Sequence, residues 1–236
     1  MDSGKRRIYT KASGKLGKGI RKMKEITKDI IRELILVYPA LTPCQKDILT
    51  ATELLIGSYE NGGKLLVCGN GGSAADSLHI VGELMKSFCN KRILPKENRK
   101  KLSEYGEDGK RLADSLQGAL PAVSLINESS LSTAFLNDVN PEMVFAQQVF
   151  GLGKKGDILL GISTSGNAKN VHYASIAAKS KELHVLSLTG KDGGLMKQIS
   201  DVTITVPESE TYKIQELHLP IYHAICRALE CEFFGK

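Results

Sequence analysis

The chain has 236 residues, 42% of them hydrophobic and 25% charged, which is the composition of an ordinary globular domain. Its apolar runs fall far short of the roughly 18 residues needed to span a bilayer, so a membrane-spanning class is excluded. The basic N-terminus has no apolar stretch behind it and is not expected to be a secretory signal.

The charge is uneven. Residues 1–28 carry ten Lys/Arg against Asp2 and Glu25, a balance of +8, whereas the whole chain is +6, so the remainder is −2. The isoelectric point near 9.0 therefore comes from a leader, about residues 1–24, and not from the body. Such a leader suits an anionic surface or nucleic acid. The expectation favoured here is a flexible, solvated segment without a nucleic-acid partner, since Gly4, Gly14, Gly17 and Gly19 weaken any helix. Five cysteines (Cys44, Cys68, Cys89, Cys226, Cys231) include no CxxC pair, which fits a reducing cytoplasm.

Ile26, Ile30, Ile31 and Leu34 lie near helical spacing and predict a helix from about Glu25 that Pro39 ends. Thr42-Pro43 reads as an N-cap with proline at the first helical position, opening a second helix to about Tyr59. Strand and helix then alternate. Strands are expected at 64–68, 120–125, 157–162, 183–188 and 202–206, and helices at 74–88, 141–152, 168–179, 195–199 and 211–234. Pro220 should kink or break the last of these. This alternation argues for one α/β domain over 25–236, a three-layer αβα sandwich with a five-stranded parallel sheet and N-terminal helices. Residues 91–118 interrupt it with charged, Gly-containing sequence, read as a surface insertion of two short helices.

Two loops carry the clearest chemical signal. Cys68-Gly69-Asn70-Gly71-Gly72-Ser73 and Ile162-Ser163-Thr164-Ser165-Gly166-Asn167 each join a strand end to a helix start. Unpaired helix amides beside small hydroxyls make an anion cradle, and a phosphate ester is its natural guest. In open parallel sheets ligands bind beyond the carboxyl ends of the strands, where both loops lie. His79 and Glu83, four apart on one helix face, suit a divalent metal or an acid/base pair, although such a pair is also a common surface contact. Gln215, Glu216, His218 and His223 follow on the last helix, and spacing alone does not choose between the two histidines.

The segments CGNGGSAADSLHIVGE (68–83), Asn137-Asp138, GISTSGN (161–167), LTGKDGG (188–194) and IQELHLPIYH (214–223) together resemble the sugar isomerase (SIS) family, and within it the phosphoheptose isomerase branch. The resemblance covers about residues 25–235 and implies a flavodoxin-like SIS fold acting as an aldose–ketose isomerase on a phosphorylated sugar. Asn70, Gly71, Gly72 and Ser73 match the family's first substrate loop. Asn137 and Asp138 match a sugar-contacting pair, and Ser163, Thr164 and Ser165 the phosphate loop. His79, Glu83, Gln215 and His223 match positions that bind zinc in zinc-containing relatives. Glu83 and His223 also match the acid/base pair, which leaves His218 a structural role. The resemblance further implies a homotetramer with active sites at subunit interfaces. Ala168 and Ser87 depart from the pattern, where relatives often carry Ser and Arg; Lys86 or Arg92 is a candidate to replace that arginine. The competing expectation is a non-catalytic sugar-phosphate sensor of the DnaA initiator-associating type, which lacks the equivalents of Glu83 and His223.

Overall fold

A computed structural model describes residues 23–235. The leader up to Lys22 lies outside them, and so does the role expected for it. The described chain opens with helix α1 (Glu25–Val37), a 3-10 turn (Pro39–Cys44) and α2 (Gln45–Glu60). Strand β1 (Leu65–Gly69) leads into α3 (Gly72–Met85). Two short helices follow, α4 (Lys96–Ser103) and α5 (Gly106–Ser115), and then β2 (Ala122–Ser124), α6 (Ser129–Asp138) and α7 (Val144–Leu152). The rest is β3 (Ile158–Ser163), α8 (Lys169–Ser180), β4 (His184–Thr189), α9 (Met196–Ile199), β5 (Val202–Thr205) and α10 (Thr211–Phe234).

The five strands form one parallel sheet in the order β2-β1-β3-β4-β5, the doubly wound topology expected. Side chains alternate across each strand. Leu65 and Val67 join a core with α1, α2, α3 and α10, whereas Leu66 and Cys68 join a second core with α7, α8 and α9. The sheet is thus buried on both faces, which is why its strands read as continuous apolar runs.

Local departures from the sequence reading have local causes. The hydroxyl of Thr42 donates to Pro39 O at 2.7 Å and caps no helix; the turn stays 3-10 until Gln45. Asn140, not Pro141 alone, opens the next helical turn, its carboxamide oxygen accepting from Glu142 N–H at 2.9 Å. Helix α10 runs on through Pro220 without a break, since both of its ends are held by packing. Helix α6 was not legible because none of its residues is buried, leaving no apolar period to read. The inserted segment does form two short helices, closed at the base by a bridge between Ile93 and Gln117.

Arg92 is not free to meet a substrate. It is 1% exposed, with Nε donating to Glu230 Oε1 (2.7 Å), Nη1 to Leu84 O (2.6 Å) and Nη2 to Glu83 O (2.9 Å). Glu230 also accepts from the backbone N–H groups of Phe88 (2.7 Å), Cys89 (2.7 Å) and Asn90 (2.9 Å). The pair ties the C-terminal turn of α3 to α10, and Arg92 satisfies two carbonyls that a helix end would otherwise leave open. Near the other end of the described chain, Glu232 accepts from Lys24 N–H (3.1 Å) and Thr27 Oγ1 (2.7 Å), which ties the start of α1 to the end of α10.

His218 faces inward from α10. It is fully buried, and its Nε2 lies 3.2 Å from Thr189 O. A carbonyl only accepts, so Nε2 carries the proton and the ring is neutral. Burial pushes its pKa down to about 4 from 6.5.

Two outcomes follow from these buried groups. Arg92→Met leaves a buried carboxylate and two carbonyls short of a partner, and should lower unfolding stability by roughly 3–5 kcal/mol in urea titrations; a loss under about 1 kcal/mol would reduce the pair to ordinary packing. For His218, the unfolded chain takes up the proton below pH 6.5 and the folded one only near 4. Stability should therefore fall as pH drops through that window, by up to roughly 3 kcal/mol. His218→Gln should flatten this loss; an equally steep loss in the variant would assign the acid sensitivity to other groups.

Candidate active site

The pairing of β1 with β3 sets Gly69 opposite Ile162. Strand order reverses here, because β2 lies on the far side of β1 and β4 on the far side of β3. The helices that follow, α3 and α8, leave toward opposite faces, and the crevice between their starts is where doubly wound folds bind ligands. Both Gly/Ser loops border it.

In the first loop Gly71 takes a positive φ of 54°, and Ser73 N–H donates to Asn70 O at 3.0 Å. Gly72 opens α3, and a Cβ there would lie 2.6 Å from Gln215 Nε2, so the Gln215 amide packs directly on this loop. In the second loop Gly166 N–H donates to Ser163 O at 2.9 Å, and Asn167 N–H to Ser165 Oγ at 3.2 Å. Neither helix start has a side-chain cap at its Ncap position, and at α8 that position is Ala168. The positive end of each helix is left for a ligand.

The Gly190–Gly194 segment braces the second loop from behind. Thr164 O accepts from Gly190 N–H (3.0 Å), and the Asn167 carboxamide accepts from Leu195 N–H (3.0 Å) while donating to Ser165 O (3.0 Å). Gly166 has φ +66°, and a Cβ there would come within 2.0 Å of Gly193 O. Only glycine fits that approach. The two loops are also joined directly. Asn70 and Asn170 exchange paired amide bonds at 2.9 and 2.8 Å. Sequence reading missed Asn170, although it stands three residues after Asn167 on the first turn of α8.

Helix α10 crosses α3 and delivers His223 to His79. Their Nε2 atoms are 3.4 Å apart, with the rings edge to face, and Glu83 Oε1 lies 3.3 Å from His79 Nε2. Glu83 Oε2 also meets the exposed Lys86 at 3.4 Å. Burial lowers the His223 pKa and the neighbouring His79 lowers it further, against the pull of Glu83. A neutral imidazole there can take or give a proton at neutral pH. Phe88 and Tyr222 flank the His223 ring at centroid distances of 5.5 and 5.0 Å.

The structure thus brings His79, Glu83 and His223 together. Gln215 stands on the same helix as His223 but at the Gly72 end of the crevice. Asn137 and Asp138 bond to each other at 2.7 Å on the exposed α6, which leaves from the carboxyl end of β2. Among the described residues no three His, Cys, Asp or Glu side chains close into a metal group. The donor types nevertheless suit zinc, and the two short separations at His79 match the edge of a zinc tetrahedron, about 3.3–3.4 Å for bonds of about 2.0–2.1 Å.

Comparison with known proteins bears on this site. Residues 39–99 match the model of the SIS domain family, a match that ends inside the inserted segment. A phosphoheptose isomerase of Helicobacter pylori is 40% identical over 211 residues, covering 89% of this chain and 97% of its own. One from a Nitratiruptor species is 41% identical over 186 residues, 79% of this chain and 86% of its own. The solved phosphoheptose isomerase GmhA of Neisseria gonorrhoeae superposes with a TM-score of 0.65 at 33% identity, covering 87% of this chain and 98% of that one. That of Francisella tularensis does so at 0.64 and 30%, covering 87% and 93%. The relatives match over most of the chain, and the chain belongs to the phosphoheptose isomerase family of SIS-domain proteins.

Proposed function

We propose that this chain is an aldose–ketose isomerase that interconverts sedoheptulose 7-phosphate and D-glycero-D-manno-heptose 7-phosphate. The observation that carries this reading is the meeting of Glu83 and His223 at His79 beside two helix-start loops. The Ser163–Ser165 loop holds the phosphate, with Asn70 to Ser73 and the Asn137-Asp138 pair on the sugar. The opened substrate is then anchored with its C1 and C2 toward Glu83. Glu83 removes the proton from one carbon and returns it to the other through a cis-enediol, so the carboxylate ends as it began. His223 moves the proton between the two oxygens and assists ring opening. The presence of both groups speaks for an enzyme over a sugar-phosphate sensor.

Zinc belongs to the same reading, held by His79, Glu83, Gln215 and His223. When bound, it supplies a Lewis acid that polarises the substrate carbonyl. A homotetramer is proposed with it. Leu36, Val37 and Tyr38 stand exposed at the end of α1, beside a groove of about 340 Å³ that runs to His223 between α1 and α10. Among the described residues no helix is long and apolar enough to cross a membrane, and the five cysteines are free, so a reducing cytoplasm is the compartment proposed.

With sedoheptulose 7-phosphate as substrate, Glu83→Gln should lower turnover by at least 10³-fold while the melting temperature stays within a few degrees. Normal turnover by that variant would remove Glu83 from the chemistry, and no turnover by the parent chain would remove the substrate. Native mass spectrometry of the purified protein should give the mass of four subunits with one zinc each. A monomer mass would end the assembly proposal, and full activity after complete chelation would end the zinc proposal.

A further inference from the structure

Behind the His79–Glu83–His223 cluster lies a second layer to which neither composition nor motif pointed. Tyr222, the neighbour of His223, is 3% exposed, and its ring turns toward α3. Its hydroxyl oxygen lies 3.0 Å from His79 Nδ1 and 3.3 Å from Asp76 Oδ1. The His79 and Tyr222 rings meet edge to face, with centroids 5.5 Å apart. Asp76, His79 and Glu83 fall three and four residues apart on α3, so one helix face carries the whole set.

Two proton orders fit this chain: with Asp76 protonated, the direction its burial favours, Tyr222 donates to His79 Nδ1 and an Nε2–H is left for Glu83, whereas with Asp76 ionised the order reverses. A tyrosine hydroxyl has one hydrogen, and a carboxylate only accepts. With Asp76 ionised the hydrogen goes to Asp76, the hydroxyl oxygen accepts from His79, and His79 carries its proton on Nδ1. Its Nε2 is left with a bare lone pair, and that is the atom that faces Glu83 and His223. In free imidazole side chains both tautomers are accessible; here the second layer selects one.

We propose that Tyr222 and Asp76 are positioning residues that lock His79 in the Nδ1–H tautomer and present its Nε2 lone pair to the reacting centre. The inference rests on the isomerase reading for its kinetic consequence, but the tautomer itself does not. A locked Nε2 accepts a hydrogen bond from the His223 ring or a bond from a cation without first moving a proton. It also keeps the His79 ring from rotating against the Tyr222 ring. Asp76 Oδ2 is buried with no partner among the described residues, so the carboxyl group's side-chain partner there is Tyr222.

The test is nitrogen-15 NMR of the full chain labelled at histidine, with metal removed by chelator so that no cation dictates the tautomer. His79 should be found as Nδ1–H in the parent protein. Tyr222→Phe keeps the ring and removes the hydroxyl, and should shift His79 toward the Nε2–H form. Asp76→Ala should do the same by a different route, because the freed Tyr222 hydroxyl then donates to Nδ1. It serves as the second variant should Tyr222→Phe fold poorly. In turnover of sedoheptulose 7-phosphate by the metal-replete protein, Tyr222→Phe should lower kcat about 10- to 100-fold with KM within twofold. An Nε2–H tautomer in the parent protein, or an unchanged tautomer in the variants, overturns the proposal. So does a Tyr222→Phe kcat equal to that of the parent. Absence of turnover in the parent chain would instead sink the isomerase reading, and the tautomer measurement would still decide this one.

Discussion

The parallel pairing of β1 with β3 is the constraint on which the site depends. With Gly69 opposite Ile162, two strand ends finish side by side and their chains must leave for opposite faces of the sheet. Each exit becomes a helix start, because the following sequence is helical and the apolar faces of α3 and α8 have separate cores to bury. The anion cradle is therefore a consequence of topology. The residues in it need only be small, and Gly71, Gly72, Ser163 and Gly166 are. The second requirement of the proposed reading, acid and base at the far end of a substrate, rests on α10, which packs across α3 and sets His223 on His79.

Much of this was legible beforehand. Strand and helix alternation named the fold because a sheet buried on both faces leaves unbroken apolar runs such as Leu65–Cys68. The two loops were legible as glycine and hydroxyl residues between a strand and a helix. The choice between His218 and His223 was not, since both lie on one helix and differ only in which neighbours they face. In the structure His218 turns to Thr189 O and His223 to His79. Asn170 and Tyr222 escaped notice for a related reason. Each acts through a partner a hundred or more positions distant, and a single sequence contains no trace of that pairing. Asp76 was within reach, being three residues from His79 on the same face, but an aspartate on a helix surface usually means only solvation.

The segment between α3 and β2, read from the sequence as an insertion, has a physical boundary in the structure. Arg92 was a candidate for reaching the substrate. It is instead enclosed by Glu230, two α3 carbonyls and the Phe234 ring, 4.9 Å from its guanidinium carbon. The hairpin of α4 and α5 begins just past this anchor and closes through Ile93 and Gln117. The hairpin is thus tied at its root to the helix turn that carries Glu83.

The paired amides of Asn70 and Asn170 have a different bearing. They are neutral, partly open to water, and individually weak, at about 1 kcal/mol each. Their effect is geometric: they fasten the loop after β1 to the first turn of α8, so the two halves of the crevice are one object before any sugar arrives. On the proposed reading, an arriving phosphate meets two loops already joined. Part of the loss of freedom that binding would exact from those loops has then already been taken during folding.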